Sequence, residues 1–169
     1  KYLRGAVRIA AYVEKDFSAP GFTGGTFGGE PDVHRNTWKS TEHNADLAAA
    51  FALLARATHN PHWTARAAQA RTLVAAMWQK TCGCFAVGTG LDGHTPNPFL
   101  ALDAQLWPLL ALPGGMARYG GALAAAREHM TVDGGFAYSQ TRGGLRTEGT
   151  AQAALLTALM GDGKQAARL

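Results

Sequence analysis

The chain has 169 residues, 47% of them apolar, and a formal net charge of +4. This length and apolar content suit one buried core and argue against a disordered segment, and the lack of alternating Val, Ile and Thr argues against a strand-rich fold. Its basic residues (Arg56, Arg66, Arg71, Arg118, Arg127) are scattered singly, unlike a nucleic-acid footprint, and no apolar run reaches the roughly 20 residues of a membrane span.

From the N-terminal end, Val7, Ala10, Ala11, Tyr12 and Val13 fall at helical spacing within Arg4 to Lys15, predicting a helix that Ser18-Ala19-Pro20-Gly21 breaks. The loop from Gly21 to Gly29 alternates glycine with Phe22 and Phe27. It has no Gly-Lys-Ser/Thr ending and no strand before it, so it is not read as a phosphate loop. A long loop of this kind is expected to form a wall of a site. Ser40 or Thr41 can cap the next helix, which runs through Leu47, Phe51 and Leu54 to about Ala57. Thr58-His59-Asn60-Pro61 turns the chain into a second helix bearing Trp63, Ala67, Ala70, Leu73, Val74, Met77 and Trp78. An antiparallel helical hairpin is the expectation.

Beyond it, Gly83 to Gly93 predicts a short extended piece and a tight turn at Asp92-Gly93. Cys82 and Cys84 are expected as two free, partly buried thiols, because a bridge across one residue is sterically awkward and two thiols make no structural zinc site. Asn97-Pro98 opens a helix through Leu102, Leu106 and Leu109, with Pro108 forcing a kink or an early end. Pro113-Gly114-Gly115 leads into a helix from Ala117 to Met130. Asp133 to Ser139 repeats the extended-turn device, and a last helix runs from about Glu148 to Met160, closed by Gly161-Asp162-Gly163. Short turns and long loops alternate, so every long loop is expected at one end.

One pattern returns. Thr41-Glu42-x-x-Ala45-Asp46 aligns without a gap on Thr147-Glu148-x-x-Ala151-Gln152. A middle copy keeps Ala104-Gln105, aligned on Ala45-Asp46, with Asp103 just before it. The copies recur every roughly 45 to 60 residues, the period of a helical hairpin with a long loop. Stacked hairpins would gather Glu42, Asp46, Asp103, Gln105, Glu148 and Gln152 at one rim. Carboxylates at helix N-termini also offset the helix dipole, which is the alternative to a ligand site.

The run Trp38 to Asp46, the turn Gly88-Thr89-Gly90-x-Asp92-Gly93, the stretch Leu102-Asp103-Ala104-Gln105-Leu106-Trp107 and the stretch Thr147 to Gln152 resemble the six-hairpin glycosidase superfamily. The resemblance implies an all-α fold, the helical hairpins of an (α/α)6 toroid, with long Gly/aromatic loops at one rim. About three hairpins are present, roughly half a ring. Residues 1–169 are therefore expected to form one partial toroid domain of a longer catalytic domain, completed by hairpins of the same chain or another subunit. The implied function is that of a carbohydrate-active enzyme, in first place a glycoside hydrolase acting on an oligo- or polysaccharide.

Such hydrolysis needs two carboxyl groups roughly 5 to 10 Å apart, one to protonate the leaving oxygen and one to activate water or attack. Glu42 and Glu148 are the first pair, with Asp103 between them. Trp38 and Tyr138 offer sugar-stacking rings, and His43, Asn44, Asp46, Asp92, Gln105, Arg146 and Gln152 are the expected substrate contacts. No cofactor is implied. No local spacing joins His34, His43 and His94 to Asp32, Asp46 or Asp92 as a metal site, and Ser40 and Ser139 lack a nucleophile-elbow context. The alternative function is a non-catalytic helical toroid that binds a polysaccharide or a protein, its acids serving as caps. A terpenoid-cyclase-like toroid, suggested by Gly134-Gly135-Phe136, lacks the acidic repeat motif.

Overall fold

The structure is a computed structural model that describes residues 1–169. It is 54% helical and otherwise holds only short antiparallel strand pairs. The helices are α1 (Tyr2–Val13), α2 (Thr41–Thr58), α3 (Pro61–Ala76), α4 (Leu102–Ala111), α5 (Gly115–Tyr119), α6 (Gly121–Met130), α7 (Thr147–Leu159) and α8 (Gly163–Ala166). The chain divides into two compact units, Lys1–Met77 with Gly88–Pro96, and Trp78–Val87 with Asn97–Leu169. No helix is long and apolar enough to cross a membrane.

In the first unit the α2–α3 hairpin forms from local signals. Ser40 Oγ accepts from the His43 amide at 3.2 Å and so caps α2. Asn60 Oδ1 accepts from the His62 amide at 3.0 Å and caps α3, whose first residue is Pro61. Between them His59 takes the left-handed conformation. Phe51 packs between Phe22 (ring centroids 5.2 Å apart) and Trp63 (5.6 Å, stacked), with Leu73 and Val74 completing the core. Helix α1 is tethered at its far end, where Glu14 meets Arg66 and His62 of α3. Burial works to raise the Glu14 carboxyl, but hydrogen bonds and charges from Arg66 and His62 outweigh it and hold the group below its ordinary range.

The second unit departs from the expected helix boundaries in two places. Helix α4 begins at Leu102 and not at Asn97-Pro98, because Leu100 and Ala101 are drawn into extended pairing. The Leu100 amide donates to Gln140 Oε1 (2.8 Å), the Leu102 amide donates to Tyr138 O (2.8 Å), and Ala101 bridges Ser139. Pro108 lies inside α4, which ends three residues later at Ala111. The helix expected from Ala117 to Met130 is broken at Gly120 into α5 and α6. Gly121 starts α6 with its backbone against the Gly83 carbonyl. As expected, Thr131–Val132 and Gly135–Phe136 pair across a tight turn at Asp133-Gly134, both at positive φ. Leu102, Leu106, Leu109, Leu123, Met130, Phe136 and Leu156 build the core of this unit.

Cys82 and Cys84, expected as free thiols, are joined in a disulfide with Cα atoms 5.2 Å apart. The intervening Gly83 has a φ of +61°, which lets the chain bend tightly enough to close the bridge.

Candidate functional site

Helices α2, α4 and α7 begin in one manner. The fourth residue of each sends a buried polar side chain back to the backbone of a buried phenylalanine in the preceding loop. Asn44 Oδ1 accepts from the Phe22 amide (2.9 Å), and its Nδ2 donates to Phe22 O (3.0 Å) and to Ser40 O (2.9 Å). Gln105 Oε1 accepts from the Phe85 amide (2.8 Å), and its Nε2 donates to Phe85 O (2.7 Å). Thr150 Oγ1 accepts from the Phe136 amide (2.9 Å). The three phenylalanines are at most 2% exposed, so these bonds satisfy peptide groups that water cannot reach.

Two expectations are thereby corrected. Asn44 and Gln105, expected as sugar contacts, are both fully buried with their carboxamides engaged with loop backbone. They are clamps that set each loop on its helix. The middle copy of the motif is also two residues out of register. Gln105 is the counterpart of Asn44 and Thr150, not of Asp46 and Gln152.

The corrected register brings out a second equivalence. Glu42, Asp103 and Glu148 are each the second residue of their helix. Glu42 is half-buried in the first unit, while Asp103 and Glu148 both lie in the second. The first pair suggested by the motif, Glu42 with Glu148, is therefore divided between the units, and the pair that one unit holds is Asp103 with Glu148.

Asp103 and Glu148 differ in their surroundings. Asp103 is 8% exposed. Burial pushes its carboxyl above the ordinary aspartate range, and the negative charge of Glu148 pushes it the same way. Arg146 opposes them, and no hydrogen bond to the carboxylate joins it. Glu148 is exposed and pairs with Arg146, whose Nη2 stands 3.2 Å from Oε2. Arg146 also lies over the ring of Tyr138 at 5.1 Å. Neither α4 nor α7 has a side-chain hydrogen bond at its N-cap, and both acids stand in a first turn, where a carboxylate also offsets the helix dipole.

Close packing holds the pair together. A Cβ on Gly149 would lie 2.2 Å from Leu102 Cδ2, so only glycine lets the first turn of α7 lie this close to the start of α4. Gln152, one helical turn beyond Glu148 on the same face, has its Oε1 buried with no protein partner. A buried acceptor left open in this way is unusual and marks a point where a ligand hydroxyl could bond.

The remaining candidates lie in the first unit. Trp38 is half-buried with its ring 6.2 Å from that of the exposed His43, and Asp46 is exposed one helical turn beyond Glu42. Asp92 holds its own turn together. The Thr95 hydroxyl and the amides of His94 and Thr95 bond its carboxylate and pull it down to about 2. It stands beside a cavity of about 280 Å³ lined also by Asp16, Arg35, Asn36, Thr37 and His94. No group of three or more His, Cys, Asp or Glu side chains gathers as a metal site.

Sequence reasoning passed over Lys39. It is fully buried, its Nζ donates to Pro20 O at 3.1 Å, and burial lowers its pKa. Its backbone exchanges bonds of 2.9 Å with Thr89. A lysine beside a tryptophan in a polar loop gives no sign of burial, so no sequence signal marked it. Comparison with protein-family models and with curated proteins finds no match.

Proposed function

We propose that the chain is part of a toroidal carbohydrate-active enzyme, a glycoside hydrolase of the six-hairpin type, with Asp103 and Glu148 as its paired carboxyl groups. The observation that carries this reading is the contrast between the two acids. One is biased toward its protonated form by burial and then by its neighbour's charge, while the other is exposed and paired with an arginine. Environments that differ in this way assign the acid and the base in carboxylate catalysis.

In this reading Asp103 gives its proton to the glycosidic oxygen as the bond to the anomeric carbon breaks. Glu148 activates water or attacks that carbon. Arg146 pairs with Glu148 and orients it. The exposed ring of Tyr138 offers a face for a sugar, and Gln152 Oε1 an acceptor for a hydroxyl. Glu42 takes the same helix position in the other unit and is the third carboxylate of the repeat.

The test is hydrolysis of a panel of oligosaccharides by the wild type, Asp103→Asn, Glu148→Gln and Glu42→Gln. Loss of a general acid lowers kcat by about 10²- to 10⁴-fold. Asp103→Asn is expected to recover on aryl glycosides whose leaving group needs no protonation, and Glu148→Gln is not. Sugar binding without turnover would turn the assignment to a binding toroid, and full activity in both variants would take the catalytic roles away from Asp103 and Glu148.

A further inference from the structure

The only two cysteines of the chain are bonded to each other across one residue, in the turn that joins the strand Trp78–Gln79 to its partner Cys84–Phe85. Cys82 is exposed, while Cys84 is 2% exposed. The turn rests on the beginning of α6, where a Cβ on Gly121 would stand 3.0 Å from the Gly83 carbonyl oxygen.

Three physical consequences follow. A cross-link stabilises a fold by restricting the unfolded chain, and its effect grows with the loop it closes. A three-residue ring restricts little, so folding does little to hold this bond shut. The sulfur on the exposed side can be reached by a nucleophile, and exposed disulfides are the labile ones. The buried Cys84 sulfur is shielded from the same nucleophile, so attack falls on Cys82 and Cys84 is the leaving sulfur.

We propose that Cys82–Cys84 is a thiol–disulfide exchange site whose co-substrate is a low-molecular-weight thiol. The thiolate attacks Cys82 Sγ, forming a mixed disulfide and breaking the bond to Cys84, which leaves as a thiolate and takes a proton from water. A second thiolate attacks the small-molecule sulfur, releasing Cys82 as a thiolate that is protonated in turn. The net change oxidises two thiols to one small disulfide and reduces the cysteine pair by two electrons. The turn leads directly into Phe85, whose ring packs on Trp78 and Tyr119 at 4.9 Å each. Exchange is therefore expected to register in the tryptophan fluorescence. This site stands independently of the glycosidase reading.

The experiment equilibrates the folded protein with reduced and oxidised glutathione over a range of ratios, blocks free thiols with a maleimide and reads the mass. Far-UV circular dichroism follows the fold in parallel. The expected result is a reversible passage between none and two maleimides per chain with helicity unchanged, and a single glutathione held on Cys82 in Cys84→Ser. A bond that stays closed in a large excess of reduced glutathione would show a structural cross-link and overturn the proposal. So would reduction that proceeds only with unfolding, or thiols that stay open in oxidised glutathione.

Discussion

Replacing Gln105 with leucine tests the clamp at the start of α4. The change keeps side-chain bulk but leaves the Phe85 amide and carbonyl, bonded at 2.8 and 2.7 Å in the native protein, without partners. Phe85 is 0% exposed, so water cannot replace those bonds. Each buried peptide group left unsatisfied costs about 1–3 kcal/mol, and two together cost about 4 kcal/mol. That is a large share of the about 5–15 kcal/mol that holds a domain folded. With a urea slope of about 2 kcal/mol per molar, the unfolding midpoint falls by about 2 M. Asn44→Leu strands the same two groups of Phe22 and is expected to match it, whereas Thr150→Val strands only the Phe136 amide and should cost about half as much. Urea unfolding followed by circular dichroism gives the midpoints, and amide exchange at Phe85 locates the loss. A Gln105→Leu midpoint within about 0.3 M of wild type, or a Thr150→Val loss of equal size, would refute the two-bond clamp.

Two further outcomes follow from the packing of α4 and α7. Gly149→Ala drives a methyl to 2.2 Å from Leu102 Cδ2 and is expected to destabilise by about 1–3 kcal/mol in the same urea assay, while Gly143→Ala, with open space around it, is not. Asp103 carries a raised folded-state pKa, so between the ordinary value of 3.8 and that raised value the folded chain keeps a proton that the unfolded chain has lost. Its contribution to stability therefore falls as pH rises through that window and is level above it. The advantage of Asp103→Asn over wild type should grow through the same window, and Glu148→Gln should move the Asp103 carboxyl resonance to a lower titration midpoint. A stability difference that does not vary with pH would contradict the assignment.

Most of the helices were legible in the sequence because their signals are local. Asn60-Pro61 starts α3, Ser40 caps α2, and Asp133-Gly134 turns a hairpin, each through bonds or dihedrals within a few residues. Glu42 and Glu148 were legible too, since their place in a first helical turn depends only on where α2 and α7 begin. The start of α4, and with it the first-turn place of Asp103, was not, because Leu100 and Ala101 are held in extended pairing by partners about 40 residues away.

The same distinction decides the candidate site. Composition and spacing determined that acidic and amide side chains follow each long loop. Only tertiary structure decided which of them face a phenylalanine backbone and which remain open. A carboxamide four residues into a helix reads the same whether it meets solvent or a peptide group 20 residues upstream, as Gln105 does. It is the missing side chain at Gly149 that lets the first turn of α7 lie against Leu102 at the start of α4. Burial and the charge of Glu148 then set Asp103 apart from the other acids of the repeat, because both depend on distances through space.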